Sequence, residues 1–338
     1  MLLDDFDYNL PVDLIAQTPA PRGESRLLCL NRGNGEVKDT TFPHLLDFIH
    51  RDDVLVINDT RVSARRMKAI RNNGGTAEIL LIQPVGRDRW KAMVHPGRGL
   101  QVGRYVDILL NDGKRVKAQS IEVTEDGGRI LLFENAEARD SLLWQGEIPL
   151  PPYIHSHLAD EERYQTIYSK LPGSAAAPTA GLHFTHEILR DIDAIGAKLT
   201  PITLHVGIDT FRPVKEREIE DHKMHGEWYT ISKETADIIN NASGRIIAVG
   251  TTTVRALESA AISDGVVESK TEETRLFITP GYRFKIIDAM LTNFHLPKST
   301  LLMLVSAFGG MEFVRNAYEF AVKNRYRFFS FGDAMLIY

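Results

Sequence analysis

The sequence DVLVINDTR, residues 53–61, marks the place where the chain changes character. Residues 54–57 form a continuous apolar run, which is typical of a strand buried in a sheet. From about residue 61 to 145, strand-like segments follow at short spacing: AEILLI (77–82), WKAMV (90–94), YVDILL (105–110), RVKAQSIEV (115–123) and RILLF (129–133). The turn sequences NNGG, NDGK and EDGG separate them. This pattern predicts a small antiparallel β-barrel or sandwich.

After the proline-rich sequence PLPP (149–152), predicted strands and helices alternate. We expect strands at 199–206, 245–250 and 274–278, and helices at 185–195, 232–243, 252–262 and 311–323. This alternation is typical of an α/β or mixed architecture. Because the strand-rich block lies between two pieces of similar character, we expect a discontinuous main domain, residues 1–60 and 150–338, that carries residues 61–149 as an inserted domain.

The composition is that of a globular protein with room for two domains, since 43% of its 338 residues are hydrophobic. The net charge of −5 argues against non-specific coating of nucleic acid and confines any RNA contact to a local basic patch. The single cysteine, Cys29, allows neither an intramolecular disulfide nor a Cys-based metal site. The acidic start lacks the features of a secretory signal, and no apolar stretch approaches the roughly 20 residues of a membrane span. We therefore expect a cytoplasmic protein.

Reactive side chains are most concentrated between residues 173 and 229. The small-residue run GSAAAPTAGLHFT (173–185) ends in His183 and Thr185 just before a predicted helix. Small residues allow close approach of a ligand to the backbone, and helix N-termini favour anionic groups. A tight loop packed under the helix is the alternative. The next predicted strand ends at His205, before Gly207, a position typical of sites in α/β sheets.

The segment HKMHGEWY (222–229) brings two imidazoles and a carboxylate within six positions. His222, His225 and Glu227 could ligate a metal if they shared a helical face. The following WYTI is strand-like, however, and the spacing differs from H-E-x-x-H. The pattern therefore favours a polar segment that contacts substrate over a metal site.

Two further polar segments lie near predicted helix starts. GTTTVR (250–255) follows a predicted buried strand, so Thr251, Thr252 and Arg255 can hold a carboxylate or a ribose, although simple capping by a threonine is the alternative. In TNFHLP (292–297), Asn293 offers an amide that can recognise a base edge and His295 a titratable group.

A run of basic residues follows the strand at 53–58. Five Lys and Arg side chains lie between residues 61 and 71 with no acidic residue among them. Such a run suits phosphate contacts, and a solvated basic face is the alternative. The sequence contains no G-x-G-x-x-G after a strand, no G-x-x-x-x-G-K-[ST] and no G-x-S-x-G, which argues against dinucleotide oxidoreductases, P-loop NTPases and ordinary hydrolases.

Seven segments match one known family in their residues and order. They are DFDYNLPVDLIAQTPAPRGESRLL (5–28), VLVINDTRVSAR (54–65), GSAAAPTAGLHFT (173–185), TLHVGIDTFRPV (203–214), HKMHGEWY (222–229), GTTTVRALE (250–258) and TNFHLPKSTLLMLVSAFGG (292–310). The chain thereby resembles the S-adenosylmethionine:tRNA ribosyltransferase-isomerase family of queuosine biosynthesis. One departure is Asp209, which stands where the family usually has a second glycine in its H-V-G-x-G-T-F turn. Asp tolerates left-handed backbone better than most residues, but its side chain restricts how closely a ligand can approach.

The resemblance implies a fold and a reaction. The family fold is mixed α/β, a large α/β-barrel main domain with a small inserted antiparallel β-barrel domain. The implied reaction transfers and isomerises the ribosyl moiety of S-adenosylmethionine onto 7-aminomethyl-7-deazaguanine at the wobble position of tRNA. It gives epoxyqueuosine-tRNA and releases adenine and methionine. S-adenosylmethionine is then a ribosyl donor, no metal or further cofactor is implied, and we expect a monomer.

This chemistry suggests a role for each candidate residue. A proton on the ribose carbon bonded to a sulfonium is acidic, and histidine suits its removal near neutral pH. The catalytic candidates are His183, His205, His225, Glu227 and His295, with His205 and His225 favoured because Gly207 and Glu227 lie beside them. The substrate-binding candidates are Arg22, Ser25, Arg26, Thr185, Gly207, Thr251, Thr252, Arg255 and Asn293. The tRNA-binding candidates are Asn58, Asp59, Arg61, Arg65, Arg66 and Lys68.

Two other functions stay open at this point. One is a metal-dependent hydrolase that uses His222, His225 and Glu227. The other is a non-catalytic tRNA-binding protein, in which the basic run and the Asn-Phe-His segment bind RNA without turnover. Release of adenine from S-adenosylmethionine in the presence of modified tRNA separates both from the transferase.

Overall fold

The structure is a computed structural model that describes residues 1–124, 127–142, 145–207 and 214–338. Its chain divides into two compact units. The larger unit comprises Met1–Thr60, Pro151–Lys170 and Ala177–Tyr338, and the smaller unit comprises Arg61–Leu150 and Leu171–Ala176. The smaller unit thus includes seven residues, Leu150 and Leu171–Ala176, that the sequence placed in the main domain. The segment Leu171–Ala176 groups with it because the Ser174 carbonyl accepts the backbone N–H groups of Ser63 and Ala64.

The strands of the described residues are numbered in chain order. They are β1 (Arg26–Leu30), β2 (Val37–Thr41), β3 (Val54–Asn58), β4 (Thr60–Val62), β5 (Arg65–Arg71), β6 (Thr76–Pro84), β7 (Arg89–His95), β8 (Tyr105–Leu109), β9 (Arg115–Val123), β10 (Arg129–Phe133), β11 (Leu171–Ser174), β12 (Lys198–Leu204), β13 (Glu227–Ile231), β14 (Ile246–Val249), β15 (Ala261–Ser263), β16 (Val266–Val267), β17 (Lys270–Thr274), β18 (Ala289–Asn293) and β19 (Ala334–Ile337).

The α-helices are α1 (Ala136–Asp140), α2 (His186–Ile195), α3 (Lys233–Asn240), α4 (Thr251–Ser259), α5 (Thr300–Gly309) and α6 (Met311–Lys323). Short 3-10 helices lie at Leu3–Phe6, Val12–Leu14, Phe42–Phe48, Gly97–Gly99, Glu161–Tyr164, Thr179–His183 and Ile219–Asp221. Within the ranges given above, no helix has the length and apolar character needed to span a membrane.

Nine strands of the larger unit form one mixed sheet, in the order β17-β13-β12-β3-β14-β18-β19-β1-β2. The strands β12, β3, β14 and β18 are parallel neighbours. Every residue of β3 is buried, as its apolar sequence predicts. Ile188 and Ile192 of α2 pack in the same core as Leu55 and Ile57 of β3. The mixed α/β class expected from the sequence is confirmed.

One edge of this sheet collects the strand ends that matter for function. The parallel strands β12, β3, β14 and β18 all finish at this edge. The strands β13 and β19 are antiparallel to their neighbours β12 and β18, so both begin there, and β1 begins there because it is parallel to β19. We call it the carboxyl edge. Ligands in open α/β sheets bind at this edge.

The smaller unit contains a closed six-stranded antiparallel barrel, in the order β10-β7-β6-β5-β8-β9. Trp90 is fully buried in its core together with Met67 and Ile79. Alternation along β5 leaves Arg66 and Lys68 exposed. The inserted antiparallel barrel expected from the sequence is confirmed.

One expected strand was wrong. The apolar residues at 274–278 suggested a strand, but the strand is β17, the polar segment KTEET at Lys270–Thr274. This strand lies at the end of the sheet and pairs only with β13 among the described strands. A strand with three exposed residues out of five carries no apolar pattern for sequence analysis to detect.

A buried carboxylate ties the start of β3 to the start of β14. Asp53 accepts hydrogen bonds from the backbone N–H of Arg245 (3.0 Å), from its Nε (3.2 Å) and Nη2 (2.6 Å), and from the backbone N–H of His50 (2.8 Å). Burial alone would raise the pKa of Asp53, but the Arg245 guanidinium and the N–H groups outweigh burial and lower it. The carboxylate therefore stabilises the fold in its charged form.

Asp53→Asn should lower the free energy of unfolding at pH 7 by about 2 kcal/mol, because charge-assisted bonds to a buried group are lost. The native pKa is lowered, so this stabilisation is present above roughly pH 4 and is lost as the pH falls through the native pKa. Urea unfolding of both proteins at pH 7 and at pH 3 should show the difference shrink in acid. Asp264→Asn, at an exposed pair with Arg283, is the matched control and should change stability by less than about 0.5 kcal/mol. Equal stability of Asp53→Asn and the wild type at pH 7 would contradict this role.

Candidate active site

Ser25, His183 and Asn293 form the first polar cluster at the carboxyl edge, here called the Ser25 cluster. His183 ends the 3-10 helix Thr179–His183 and places Nδ1 2.7 Å from Ser25 Oγ and Nε2 3.3 Å from Asn293 Nδ2. Asn293 Nδ2 also donates to the Phe329 carbonyl at 3.1 Å, which identifies it as the amide nitrogen. His183 Nε2 is therefore the acceptor and Nδ1–H donates to Ser25. Burial lowers the pKa of His183 to about 4, so the imidazole is neutral.

A small cleft, partly open to solvent, lies beside this cluster. It is lined by Pro19, Ala20, Pro21, Arg22, Ser25, Arg163, Leu182, His183, Ser330, Phe331 and Gly332. The structure thus brings together three residues that the sequence singled out, Arg22, Ser25 and His183. Two other parts of the lining, Arg163 and the segment 330–332, were not predicted; the only signal of 330–332 is a short run of small and aromatic residues before the last strand.

Arg22 and Arg26 have different environments although they are close in sequence. Arg22 donates to the Leu182 carbonyl (2.8 Å) and, through Nη2, to the carbonyls of Glu162 (2.9 Å) and Gln165 (2.6 Å). Burial lowers its pKa. It therefore holds the segments around the cleft. Arg26 does not line the cleft: its Nη2 donates to Asp39 (2.6 Å) and its guanidinium lies 3.7 Å from the centre of the Tyr326 ring.

Glu227, Arg255 and His225 form the second cluster, here called the Glu227 cluster. Glu227 is fully buried, accepts the Gly207 N–H at Oε1 (2.9 Å) and accepts Arg255 Nη1 at Oε2. His225 Nε2 lies 3.6 Å from Oε1. Burial alone would raise the pKa of Glu227, but Arg255 and then His225 and the Gly207 N–H lower it to about 2. The carboxylate is therefore ionised.

Arg255 retains an unused donor. Its Nε donates to the Leu276 carbonyl at 3.1 Å and its Nη1 to Glu227, whereas Nη2 is enclosed and has no hydrogen-bond partner among the residues described. A buried guanidinium N–H without a partner is costly, so Nη2 is suited to an anionic oxygen of a ligand. The nearby first turn of α4 begins after Gly250, whose φ of +94° favours glycine. No side chain in the described ranges caps this helix, which leaves the first-turn N–H groups of Thr251 and Thr252 for a ligand.

His205 and the residues after β3 form a third group. His205 Nδ1 lies 2.8 Å from Thr60 Oγ1, and burial lowers the pKa of His205 while Asp59 opposes this. Asp59 accepts from Thr203 Oγ1 at 2.6 Å. The fully buried Asn58 donates to the Leu204 carbonyl and accepts the backbone N–H groups of Leu204 and Thr60. Its amide thus joins β3 to β12 and is not available to RNA.

Two other candidates have structural partners. Thr185 is the N-cap of α2, because its Oγ1 accepts the Ile188 N–H at 3.1 Å. His295 is buried: its Nε2 lies 2.8 Å from Thr292 Oγ1, its carbonyl accepts the Tyr8 hydroxyl at 2.5 Å, and its N–H donates to the Tyr318 hydroxyl at 3.1 Å. Burial lowers the pKa of His295 to about 3, so it is a neutral histidine of the core.

The three residues of the metal alternative have separate partners. His222 Nδ1 lies 2.9 Å from Glu216 Oε2, whereas His225 pairs with Glu227. In the part of the chain that the structure describes, no group of three or more His, Cys, Asp or Glu side chains is arranged to hold a metal ion. The turn that contains Asp209 lies outside the described residues.

The basic run divides between exposed and buried positions. Arg66 and Lys68 are exposed on the outside of the barrel, Arg61 is half-buried, and Arg65 is buried with 4% of its surface exposed. The whole segment 61–150 carries fifteen Lys and Arg against eleven Asp and Glu, so its net charge is +4 whereas the rest of the chain carries −9. The positive charge is therefore concentrated in the inserted segment.

Comparison with known proteins identifies the family of the chain. Residues 3–337 match the model of a family described as "Queuosine biosynthesis protein". The chain belongs to this family. The resemblance drawn from the sequence is thereby confirmed.

Relatives within the queuosine biosynthesis family are similar over their full length. The S-adenosylmethionine:tRNA ribosyltransferase-isomerase of Carboxydothermus hydrogenoformans is 51% identical over 342 residues, and that of Caldanaerobacter subterraneus subsp. tengcongensis is 49% identical over 343 residues, each covering 100% of both chains. The crystal structure of S-adenosylmethionine tRNA ribosyltransferase from Thermotoga maritima shares 38% identity and a TM-score of 0.57, and covers 99% of this chain and 100% of that one. The enzyme class expected from the sequence, a transferase with isomerase activity, is confirmed.

The neutral histidines of the core predict how stability depends on pH. The native pKa values of His183 and His295, about 4 and about 3, lie below the ordinary value of 6.5. Stability is therefore complete above about pH 6.5 and falls as the pH drops, because the unfolded chain gains protons first. Between pH 7 and pH 5 the wild type should lose about 2 kcal/mol more than His295→Gln in chemical unfolding. The exposed His44→Gln is the matched control and should keep the wild-type slope. Parallel curves for His295→Gln and the wild type would show that the ring is not neutral in the fold.

Proposed function

We propose that the chain transfers and isomerises the ribosyl moiety of S-adenosylmethionine onto 7-aminomethyl-7-deazaguanine in the anticodon of tRNA, and releases adenine and methionine. The observation that carries this proposal is the Glu227 cluster, where a buried ionised carboxylate faces an imidazole and a buried guanidinium keeps an unused donor. The family to which the chain belongs and the names of its relatives support the same function.

His225 is the histidine best placed to act as the base. The reaction begins with loss of a proton from the ribose carbon bonded to the sulfonium. Glu227 lies 3.6 Å from His225 Nε2 and can stabilise the imidazolium that forms, as a carboxylate does in a catalytic triad. His295 is enclosed by core residues and has its ring nitrogen bonded to Thr292, so we assign it no step.

His183 and Ser25 contribute to the cleft wall. Because Nδ1–H donates to Ser25 and the pKa is about 4, His183 does not serve as a proton donor near neutral pH. Its Nε2 already accepts the Asn293 amide, so we assign His183 to shaping the cleft wall and not to a proton-transfer step. His205, next to Gly207, remains a candidate for the acid at the purine.

Arg255 is the cation best suited to the methionine carboxylate. Three arginines were candidates, and the guanidinium groups of Arg22 and Arg26 are engaged by backbone carbonyls, Asp39 and an aromatic ring. Arg255 Nη2 complements a carboxylate in charge, and the first turn of the same helix, α4, has no side-chain cap.

The exposed basic side chains of the inserted barrel are proposed to contact tRNA phosphates. Arg66 and Lys68 carry this proposal together with Arg61, since Asn58 and Arg65 are buried. Asp59 lies at the carboxyl edge and is nearly enclosed, so its acidic group is assigned to the site and not to phosphate binding. We expect the protein to act as a monomer.

Adenine release from S-adenosylmethionine, measured with tRNA that carries 7-aminomethyl-7-deazaguanine, tests the assignment. Arg255→Lys keeps the charge next to Glu227 but removes the Nη2 donor, so the KM for S-adenosylmethionine should rise about 10- to 100-fold. Arg26→Lys should leave that KM within about twofold, because Arg26 pairs with Asp39 and Tyr326. His225→Gln should lower kcat by about 100-fold or more.

Three outcomes would contradict the assignment. A rise in KM for Arg26→Lys without one for Arg255→Lys would show that Arg26 binds the methionine carboxylate. Near-full kcat in His225→Gln would show that His225 is not the base. No adenine release by the wild type would overturn the transferase in favour of one of the other two functions, and a metal stoichiometry near one in purified protein would then select the hydrolase.

Replacing the exposed basic residues should weaken tRNA binding alone. Arg66→Gln and Lys68→Gln should each raise the KM for tRNA and reduce the slope of log K against log salt by about 0.7 to 0.9, the change expected for one lost phosphate contact. The KM for S-adenosylmethionine should be unchanged. Lys114→Gln removes the same charge from an exposed turn of the same unit and is the matched control. An equal effect of Lys114→Gln would show that only overall charge matters.

A further inference from the structure

Two hydroxyl groups in the larger unit are enclosed without a protein partner. Thr166 Oγ1 and the Tyr168 hydroxyl have no hydrogen-bond partner among the residues described, and Thr166 exposes only 3% of its surface. Burying a hydroxyl without a hydrogen bond is unfavourable, so such groups in a native fold require an explanation. The sequence TIYS (166–169) gave no reason to single them out.

The side chains of Thr166 and Tyr168 pack against the loop that carries His183. Thr166 Cγ2 lies 2.8 Å from the position that a Cβ on Gly181 would occupy, and the Tyr168 hydroxyl lies closer still. Gly181 precedes His183 by two residues, in the same 3-10 helix. In the same helix, Ala180 Cβ lies 3.7 Å from the Cβ position of Gly250, the residue before α4. The Tyr168 hydroxyl and the Thr166 side chain therefore lie beside the segment that connects the Ser25 cluster with the first turn of α4.

The segment 165–170 is fixed at both ends by site residues. Arg22 Nη2 donates to the Gln165 carbonyl at 2.6 Å, and the Lys170 N–H donates to the Asp59 carbonyl at 2.7 Å. Burial raises the pKa of Tyr168, so its hydroxyl remains a donor at all ordinary pH values. The geometry is that of two neutral donor-acceptor groups held in place before a ligand arrives.

We propose that Thr166 and Tyr168 bind the ribose hydroxyls of the ribosyl donor. This inference rests on the proposed function and adds two residues to the same site. Sugar hydroxyls both donate and accept, so they match neutral side-chain hydroxyls, whereas the methionine carboxylate is matched by the charged Arg255. Gly181 is then required because any side chain there would displace the Tyr168 hydroxyl.

Calorimetric binding of S-adenosylmethionine to the full-length protein tests this inference. Tyr168→Phe and Thr166→Val should each weaken binding about three- to tenfold, the loss of one neutral hydrogen bond. Neither should lower Tm, because no bond within the described protein is lost. Tyr282→Phe is the matched control: its hydroxyl donates to Glu258 Oε2 at 3.2 Å, so Tm should fall while binding is unchanged.

Donor analogues that lack the 2′ or the 3′ hydroxyl identify the partner atom. The wild type should bind one of them about three- to tenfold more weakly than S-adenosylmethionine, and the corresponding variant should bind both ligands equally. Wild-type affinity in both variants would overturn the inference. So would a variant that still binds the analogue more weakly than S-adenosylmethionine, so that the losses of affinity from the substitution and from the missing hydroxyl multiply. A wild type that binds S-adenosylmethionine but never releases adenine contradicts the proposed function and leaves the binding comparison valid. A wild type that does not bind it overturns both.

Discussion

The buried ion pair between Glu227 and Arg255 is the interaction on which the candidate site depends. Glu227 begins β13, Arg255 lies in α4 and Gly207, whose N–H also bonds to Glu227, follows β12. Because removal of one partner would leave an uncompensated buried charge, at a cost of about 3–5 kcal/mol, these three elements keep one arrangement. The same pair determines which guanidinium nitrogen is left for a ligand. The Glu227–Arg255 pair thus both stabilises the fold and orients the donor proposed to bind the ligand.

Environment gives chemically identical histidines different roles. His183 and His295 are both buried and have strongly lowered pKa values, but one lines an open cleft and the other lies within the aromatic core. His225 faces an ionised carboxylate, while His205 bonds to a threonine hydroxyl. Of these four histidines, His225 is the one whose ring directly faces a carboxylate, which stabilises positive charge on the ring as the proton arrives.

Much of the fold could be predicted because local pattern and final structure agree. The apolar run at 54–57 became the buried β3, the turn-separated segments became the barrel strands, and the helix expected at 311–323 is α6. Prediction failed at β17, whose polar residues carry no periodic signal. The segment Leu171–Ala176 groups with the smaller unit through hydrogen bonds to residues far away in sequence. Such pairings depend on contacts that no local pattern records.

The sequence by itself determined the family, the fold class and the set of reactive residues, because motifs and hydrophobic periodicity are local properties of the chain. The tertiary structure decided which of those residues meet. It separated Arg255, with its unused donor, from Arg26, which pairs with Asp39, and it buried Asn58 within the sheet. It also packed Thr166 and Tyr168 against Gly181 and left their hydroxyls without a partner among the residues described. Partners, burial and pKa shifts arise from residues distant in sequence, so only the folded arrangement could assign them.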